Sequence, residues 1–358
     1  MPHLRQTWTR FAKTARPPIP RPRGRSCGMH LVMSAFSRLS SLAEEGSITL
    51  IELHAVPRSL STALGRCLNE SRAASVFLDE PFRRVPEGAT ADSVDPAPAT
   101  ATDAWSHDNA EIAARHVMRS AEPLLSATNE PVIVLTKNLA RYLSAPVFRT
   151  WTDICSAIVW CIRDPRVQVS SLVTRTANDL LFGIGTDRLQ QADLQPSHLA
   201  MVTEFLQNSQ WSTNFSKTGW QAIGAHFTDC VGRLPGFVAD GSLLSRFPDR
   251  LLRYLCAGLG IEFSDRMVDG WAAPFVNVDR LYDPDLTDSS NAWVKHAATS
   301  RGVESSGRPP LELALLPAAL RDHLRQVAVP TYDMLMRAFY VQENLVDYQL
   351  DRANCPAG

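Results

Sequence analysis

The chain has 358 residues, of which 45% are hydrophobic and 20% are charged, and this is enough apolar material for one large folded domain or two ordinary ones. Its 36 basic and 37 acidic side chains give a formal net charge of -1, which does not suit a polycation built to bind nucleic acid. No apolar run approaches the roughly 18 residues that a membrane-spanning helix needs, so we expect neither an integral membrane protein nor a membrane partner.

The seven cysteines are scattered along the chain, and no two of them form a C-x-x-C pair. An odd number of widely spaced cysteines does not suit a zinc ribbon or a disulfide framework, and it is typical of a protein kept in a reducing compartment. We therefore expect a cytoplasmic protein.

The first 43 residues differ from the rest because they carry eight of the 36 basic side chains and no Asp or Glu, which leaves 28 basic against 37 acidic residues in the remainder. The Arg- and Pro-rich stretch at 15–25 does not suit a helix or a strand. A targeting peptide, a disordered tail and a true start nearer Met29 or Met33 all fit this composition. We expect residues 1–45 to form a disordered tail, residues 46–345 one domain, and residues 346–358 a second tail.

Strands and helices alternate along the first half of the expected domain. Short apolar runs predict strands at 48–56, 76–78, 131–136 and 156–162. Helical spacing predicts helices at 63–68, at 111–125 and from Pro165 onward. This alternation predicts a three-layer α/β fold with a central parallel sheet and right-handed crossovers, followed by a largely helical C-terminal part. Segment 86–104, rich in Pro, Ala, Thr and Asp, is typical of a mobile surface loop.

An arginine and three hydroxyl residues follow the first predicted strand, in the sequence P-R-S-L-S-T. They are Arg58, Ser59, Ser61 and Thr62. The backbone N–H groups and the positive helix end at such a junction suit a phosphate, and the guanidinium of Arg58 can hold two phosphate oxygens. Serine and threonine before a helix are also ordinary N-caps, so the hydroxyl groups alone do not decide between the two.

A second basic motif follows the fourth predicted strand. Arg163 ends that strand, and Ser171 lies eight residues later in the helix that begins at Pro165. Together they can hold a second phosphate, although Arg163 can instead pair with Asp164 at the surface. Ligands of parallel sheets bind beyond the carboxyl ends of the strands, so we expect both motifs at the same edge.

These motifs resemble the sulfotransferases that use 3′-phosphoadenosine 5′-phosphosulfate (PAPS), in particular their bacterial small-molecule branch. P-R-S-x-S-T and R-D-P-R…S carry the resemblance, together with Glu80-Pro81-Phe82 after the second strand and Lys137 at the end of the third. The resemblance extends over about residues 47–340. It implies a P-loop-like fold and the transfer of a sulfuryl group from PAPS to a hydroxyl or amine.

The resemblance also implies which residues bind the co-substrate PAPS. The 5′-phosphosulfate is expected at Arg58, Ser59, Ser61 and Thr62. The 3′-phosphate is expected at Arg163 and Ser171, and Arg301 is expected to close over the nucleotide.

Sulfuryl transfer needs fixed positive charge at the leaving phosphate and a base at the acceptor hydroxyl. Arg58 and Lys137 are expected to supply the charge, and Glu80 is the first candidate for the base. His54 is the second candidate, although a histidine within a strand also fits a core position. No metal is expected, because the third strand ends in Thr136-Lys137 rather than in an aspartate that could anchor one.

The sequence departs from the family pattern at three places. Leu60 stands where many relatives have glycine, and Asn138 and Leu139 follow Lys137 where many eukaryotic relatives place a histidine. The late R-K-G segment of the family is matched only loosely, by Arg301-Gly302 or by residues 305–308.

Two other functions stay open. One is a P-loop-like kinase or another nucleotide-dependent transferase, against which the missing G-x-x-x-x-G-K-[ST] motif counts. The other is a non-catalytic descendant that binds PAPS, against which the presence of Glu80 and Lys137 counts. The expected partner is a small-molecule acceptor, with its pocket built from residues 86–104 and 178–220; no nucleic acid partner is expected, and a homodimer is left open.

Overall fold

The structure is a computed structural model, and it describes residues 33–71, 75–82, 106–183, 188–208, 215–273, 276–277, 300–303 and 310–339. The expected mobile loop at 86–104, residues 1–32 of the expected N-terminal tail and residues 346–358 all lie outside this set. Within the described part of the chain, no helix has both the length and the apolar character that a membrane crossing requires.

A six-stranded sheet forms the centre of the fold, in the order β5-β4-β1-β3-β2-β6, and each neighbouring pair is parallel. The strands are β1 Ile48–Ala55, β2 Ser75–Asp79, β3 Val132–Leu139, β4 Ala157–Ile162, β5 Gly236–Asp240 and the two-residue β6 Val276–Asn277. Every residue of β3 and β4 is buried, as expected for a parallel sheet that is covered on both faces. The predicted α/β fold class is confirmed.

Helices connect the strands and cover the sheet. They are α1 Ala35–Glu44, α2 Ser61–Asn69, α3 Ser106–Ala127, α4 Ala145–Thr152, α5 Pro165–Phe182, α6 Pro196–Asn208, α7 Trp220–Cys230, α8 Gly241–Arg246, α9 Pro248–Leu259 and α10 Ala318–His323. Helix α10 continues through a π-helical turn at Leu324–Ala328 into a helix at 329–339. The described residues of the C-terminal part are therefore mostly helical, as predicted.

Helix α1 lies within the segment that we expected to be disordered, so the predicted boundary at residue 46 is wrong for Ala35–Glu44. Leu39 is fully buried in the core, and Leu42 packs against it from the same face. The Glu111 carboxylate of α3 accepts hydrogen bonds from the first two amide groups of α1, each 2.9 Å long. The disorder prediction rested on the basic composition of the tail and overlooked an apolar face formed by Ala35, Leu39 and Leu42 at helical spacing.

Strand β3 extends three residues beyond its predicted end at residue 136. Leu139 pairs with Ala55 of β1, because backbone hydrogen bonding continues after the run of apolar residues has ended. Lys137 consequently lies inside the strand rather than at its end. In the same sheet it stands opposite Asp79, the last residue of β2.

The chain leaves the neighbouring strands β1 and β4 in opposite directions. From β1 it crosses past β3 to reach β2, whereas from β4 it continues to β5 at the other side of the sheet. Open parallel sheets bind ligands at such a reversal, in the crevice beyond the carboxyl ends of the strands. The two basic motifs follow these two strands.

Candidate active site

The loop between β1 and α2 has an unusual backbone. Arg58 and Leu60 both have a φ of 64°, in the left-handed region that favours glycine. Leu60 occupies the N-cap position of α2 without a side-chain hydrogen bond to the helix, so the amide groups of the first turn are not capped by that residue. This conformation explains why a glycine would suit position 60, and it shows that leucine adopts the same turn here.

Buried neighbours hold this loop in place. The Gln168 side chain of α5 donates from Nε2 to the Pro57 carbonyl at 2.9 Å and to the Thr218 carbonyl at 3.3 Å, and its Oε1 accepts from Trp220 Nε1 at 3.2 Å. Gln168 is fully buried, so these bonds have little competition from water. The residue before Arg58 is thus fixed to the helix that carries the second motif.

The two basic motifs meet in the folded chain. Arg58 Nε donates a hydrogen bond to the Ser171 hydroxyl at 3.0 Å, and Arg163 Nη1 lies 3.4 Å from the Arg58 carbonyl oxygen. Asp164 does not take Arg163 as its ion-pair partner: it caps α5 and pairs with Arg166 at 2.9 Å. The structure therefore brings Arg58, Arg163 and Ser171 together, as the parallel sheet predicted.

Arg163 is mostly buried beside two carboxylates. Burial lowers the pKa of its guanidinium, while the charges of Asp240 and Asp164 raise it in part. Asp240 is the last residue of β5. Its carboxylate accepts hydrogen bonds from the amide groups of Ser242 and Leu243 and, at 2.7 Å, from the Tyr332 hydroxyl. Because arginine stays charged in proteins, the crevice contains a permanent cation with little access to water.

Ser59, the residue after Arg58, is buried in the same loop. It is 3% exposed, and its hydroxyl oxygen has no hydrogen-bond partner among the residues that the structure describes. Its carbonyl oxygen packs so closely on Gly241 that a Cβ at that position would overlap it. A buried hydroxyl without a partner is costly, and an anion bound in the loop would satisfy it.

Lys137 lies between two carboxylates at the adjoining strand ends. Its Nζ is 2.5 Å from Glu80 Oε1 and 3.0 Å from Asp79 Oδ1. Burial lowers the pKa of this lysine, but the two carboxylates outweigh that effect and the pKa lies above its ordinary value. The ammonium is therefore a fixed positive charge, and Glu80 is held next to it on a backbone with a φ of 58°.

A hydrogen bond connects the lysine cluster, formed by Lys137, Asp79 and Glu80, with the loop between β1 and α2. Thr62, in the first turn of α2, donates from Oγ1 to Asp79 Oδ1 at 3.3 Å. Sequence reasoning did not assign Asp79, although its place directly before Glu80 at a strand end was a usable signal. Through Thr62 and Asp79, the loop of β1 and the Lys137–Glu80 pair form one connected site.

Arg301 has no described contact with this site. Its carbonyl oxygen accepts from Gly270 at 2.6 Å and from Trp271 at 2.9 Å, and the next amide group, of Ala272, donates to Glu70 at 2.6 Å. Glu70 follows the C-terminal end of α2, and nine helical residues rise about 14 Å. The contacts of Arg301 thus lie at the end of α2 opposite the loop, and its role in closing over the nucleotide stays a prediction.

The alternative match at 305–308 lies outside the described residues. After it, the Leu311 amide donates to the Ser170 hydroxyl of α5 at 2.8 Å. Ser170 is the neighbour of Ser171 on α5.

His54 belongs to a buried polar cluster and is not exposed to the crevice. Its Nε2 lies 2.9 Å from His226 Nδ1, and its Nδ1 lies 3.5 Å from Glu52 Oε1. Burial lowers the pKa of both histidines to about 3. Burial also raises the pKa of Glu52 to about 7, although hydrogen bonds from Thr136 and neighbouring donors offset part of the rise in Glu52. These contacts favour the core interpretation of His54 over a catalytic one.

The expected acceptor side is described only in part. The loop at 86–104 lies outside the described residues, and Leu180, Leu181 and Phe182, at the end of α5, are exposed. The Lys217 ammonium lies over the Phe205 ring, with its Nζ atom 3.9 Å from the ring centroid.

The chain is similar to known proteins in structure but not in sequence. No protein-family model matches the chain, and no curated protein sequence matches it. A solved structure described as the sulfotransferase domain from the curacin biosynthetic pathway is similar over 78% of this chain and 91% of that domain, with 12% identical residues and a TM-score of 0.40.

Proposed function

We propose that the chain is a sulfotransferase that moves a sulfuryl group from PAPS to a hydroxyl or amine of a small-molecule acceptor. The observation that carries this proposal is the hydrogen bond from Arg58 to Ser171, which joins the two phosphate-type motifs at the reversal of strand order. A nucleotide with phosphate groups on both its 3′ and 5′ positions matches two adjoining cationic motifs better than a nucleotide with a single phosphate chain.

The residues of the crevice fit such a nucleotide. Arg163 and Ser171 would hold the 3′-phosphate. The amide groups at the start of α2, including that of Thr62, would hold the 5′ group together with the hydroxyls of Ser59 and Ser61, while the Thr62 hydroxyl keeps its bond to Asp79. The Ser59 hydroxyl has no hydrogen-bond partner in the described part of the chain, and this supports the assignment, because a phosphate oxygen would supply one.

Two fixed cations would stabilise the transition state. In sulfuryl transfer, the bond between sulfur and the bridging oxygen breaks and its electron pair goes to the leaving phosphate. Arg58 and Lys137 flank the start of α2 and would stabilise the charge that gathers on that oxygen. Because both groups are already held by hydrogen bonds, little reorganisation accompanies the reaction.

Glu80 would act as the base. The acceptor oxygen forms the new bond to sulfur, and its proton passes to the Glu80 carboxylate. Among the two carboxylates of the lysine cluster, Glu80 is the more exposed, at 14% against 1% for Asp79. An acceptor can therefore approach Glu80 but not Asp79.

A kinase is the second candidate, and one contact favours it. In P-loop kinases and ATPases a loop threonine or serine and a nearby aspartate hold magnesium, and Thr62 and Asp79 form such a pair here. However, the Lys137 ammonium contacts the same Oδ1 atom of Asp79 at 3.0 Å. A lysine at this position supplies the positive charge that magnesium supplies in a kinase, which supports the sulfotransferase.

The experiment is a transfer assay with PAPS labelled with radioactive sulfur, a panel of hydroxylated and amine metabolites, and EDTA in the buffer. We expect one labelled product for each molecule of 3′,5′-adenosine diphosphate formed, and inhibition by added 3′,5′-adenosine diphosphate. Labelled phosphate transfer from ATP with magnesium, without any transfer from PAPS, would overturn the proposal in favour of the kinase. Binding of PAPS without transfer to any member of the panel would favour the non-catalytic alternative.

A further inference from the structure

Asp79 is a buried carboxylate for which the motifs give no role. It is the last residue of β2 and is 1% exposed. Its Oδ1 atom lies 3.0 Å from the Lys137 ammonium and accepts from the Thr62 hydroxyl at 3.3 Å. One carboxylate oxygen thus contacts both the lysine of β3 and the first turn of the phosphate-loop helix.

The Lys137 ammonium has a donor available for a ligand. It carries three N–H groups, and within the described part of the chain its partners are the carboxylates of Asp79 and Glu80. Two donors are engaged, so the third can reach an oxygen of a bound anion. The direction of that donor depends on where the two carboxylates hold the nitrogen.

The two carboxylates differ in how firmly they are attached. Asp79 lies within the paired part of β2, in register with Lys137, and is tied to α2 through Thr62. Glu80 follows the strand on a left-handed backbone, is held by the hydrogen bond of its amide to the Lys137 carbonyl, and is the more exposed of the two. Asp79 is the partner that fixes the lysine relative to the phosphate loop.

We propose that Asp79 is a positioning residue for Lys137. Asp79 keeps the Lys137 ammonium directed at the transferring group, while Glu80 gives up its contact with the lysine and accepts the acceptor proton. The inference rests on the proposed function and adds a residue to its machinery. The hydrogen bond from the Thr62 hydroxyl to Asp79 connects the position of the lysine to that of the loop before α2.

A purely structural ion pair predicts a different outcome from a positioning role. Asp79 is a negative charge close to the expected site of an anionic nucleotide, so its removal would strengthen the binding of every such nucleotide if charge were its only effect. If Asp79 aims Lys137, its removal instead weakens the contacts made with the sulfuryl end. The comparison of PAPS with 3′,5′-adenosine diphosphate, which lacks that group, separates the two.

The test uses Asp79→Asn in the full chain, since asparagine keeps the shape of the side chain and removes its charge. Asp153→Asn is the matched control, because Asp153 is an exposed aspartate that pairs with Arg233. Calorimetry without acceptor measures the affinities for PAPS and for 3′,5′-adenosine diphosphate, and steady-state kinetics measures kcat and KM. Circular dichroism and thermal melting show whether each variant is folded.

For Asp79→Asn we expect an affinity for 3′,5′-adenosine diphosphate that is equal to or tighter than that of the unmodified chain. The affinity for PAPS relative to that nucleotide should fall about tenfold, as for one misdirected charge-assisted hydrogen bond. The kcat should fall about 10²-fold, the cost of misplacing a reacting group by about 1 Å. Asp153→Asn should change none of these quantities.

Three results would overturn the inference: an unaltered ratio of the two affinities with an unaltered kcat, an equal loss of both affinities, or an equal gain in both. If Asp79→Asn does not fold, Thr62→Val tests the same device, since it removes the bond to α2 and leaves the ion pair, and it should lower the same ratio. Absence of PAPS binding and transfer by the unmodified chain would refute the proposed function itself, and the role of Asp79 with it.

Discussion

The Nε atom of Arg58 donates a hydrogen bond to the hydroxyl of Ser171, which lies 113 positions further along the chain, at a distance of 3.0 Å. Arg58 follows β1 and Ser171 belongs to the helix after β4, so this bond makes the two motifs one surface. Thr62 and Asp79 extend the surface to Lys137 and Glu80.

The first prediction concerns the base. Glu80→Gln should retain nucleotide affinity and lower kcat by roughly 10²–10⁴, the usual contribution of a general base. The acidic limb of the pH–rate profile should disappear, because the group that must lose its proton is gone. Steady-state kinetics across pH checks both. Near-full turnover with an unaltered pH profile would show that Glu80 is not the base.

The second prediction concerns the buried lysine. Lys137→Ala should lower the free energy of unfolding by about 3–5 kcal/mol, because it leaves a buried carboxylate without its partner. Burial raises the pKa of Asp79, so at low pH this carboxyl is neutral and the loss should shrink as the pH falls. Urea unfolding at several pH values measures the effect. The double variant Lys137→Ala/Asp79→Asn should recover part of the stability; equal stability of the single and double variants would argue against a charge effect.

The third prediction concerns the His54–His226 pair. Burial lowers the pKa of each histidine to about 3, whereas in the unfolded chain histidine titrates near 6.5. Between these values the unfolded state binds more protons, so stability falls as the pH falls. Glu52, whose pKa is raised to about 7, acts in the opposite direction between its ordinary value and 7.

His226→Phe removes one of the two histidines, and with it one of the two protons that the unfolded chain binds and the folded chain does not. The slope of unfolding free energy against pH, between about pH 4 and 6, should decrease by about 1.4 kcal/mol per pH unit. Phenylalanine can keep the stacking on Phe148, whose ring centroid lies 4.3 Å from that of His226. Urea unfolding at half-unit steps of pH measures the slope, and an unchanged slope would contradict the assignment of a neutral buried His226.

The fourth prediction concerns α1. Leu39→Ala should lower the free energy of unfolding by about 2–5 kcal/mol, as for other fully buried leucines. Met33→Ala is a suitable control, because Met33 is 55% exposed. If both variants are as stable as the unmodified chain, α1 does not contribute to the core.

The sequence was sufficient for four of the six described strands, β1 to β4, because they are mostly buried and read as short apolar runs. It did not indicate α1, where three apolar residues at helical spacing lie next to an Arg- and Pro-rich stretch. The end of β3 was also missed, because Lys137 and Asn138 are polar residues that continue a strand by backbone pairing.

For the site, the motifs located Arg58, Arg163, Ser171, Glu80 and Lys137, since each lies close to the carboxyl end of a strand or in the helix that follows it. The contacts of Asp79 and Gln168 could not be predicted in this way. Each depends on a partner from another strand or helix, such as Thr62 for Asp79 and Pro57 for Gln168, and only the folded chain brings these partners together.

The central claim is that the crevice binds a nucleotide phosphorylated at both 3′ and 5′ positions, without a metal. The most direct measurement is calorimetric titration of the unmodified chain and of Arg163→Ala with three ligands: 3′,5′-adenosine diphosphate, 5′-AMP, and ATP with magnesium. Arg166→Ala is the matched control, since Arg166 is an exposed arginine paired with Asp164. We predict that 3′,5′-adenosine diphosphate binds tightest, and that Arg163→Ala weakens it about 10–100-fold while 5′-AMP is nearly unaffected, as for the loss of a charge-assisted hydrogen bond. Tighter binding of ATP with magnesium, or an equal loss for 3′,5′-adenosine diphosphate and 5′-AMP in Arg163→Ala, would contradict the account.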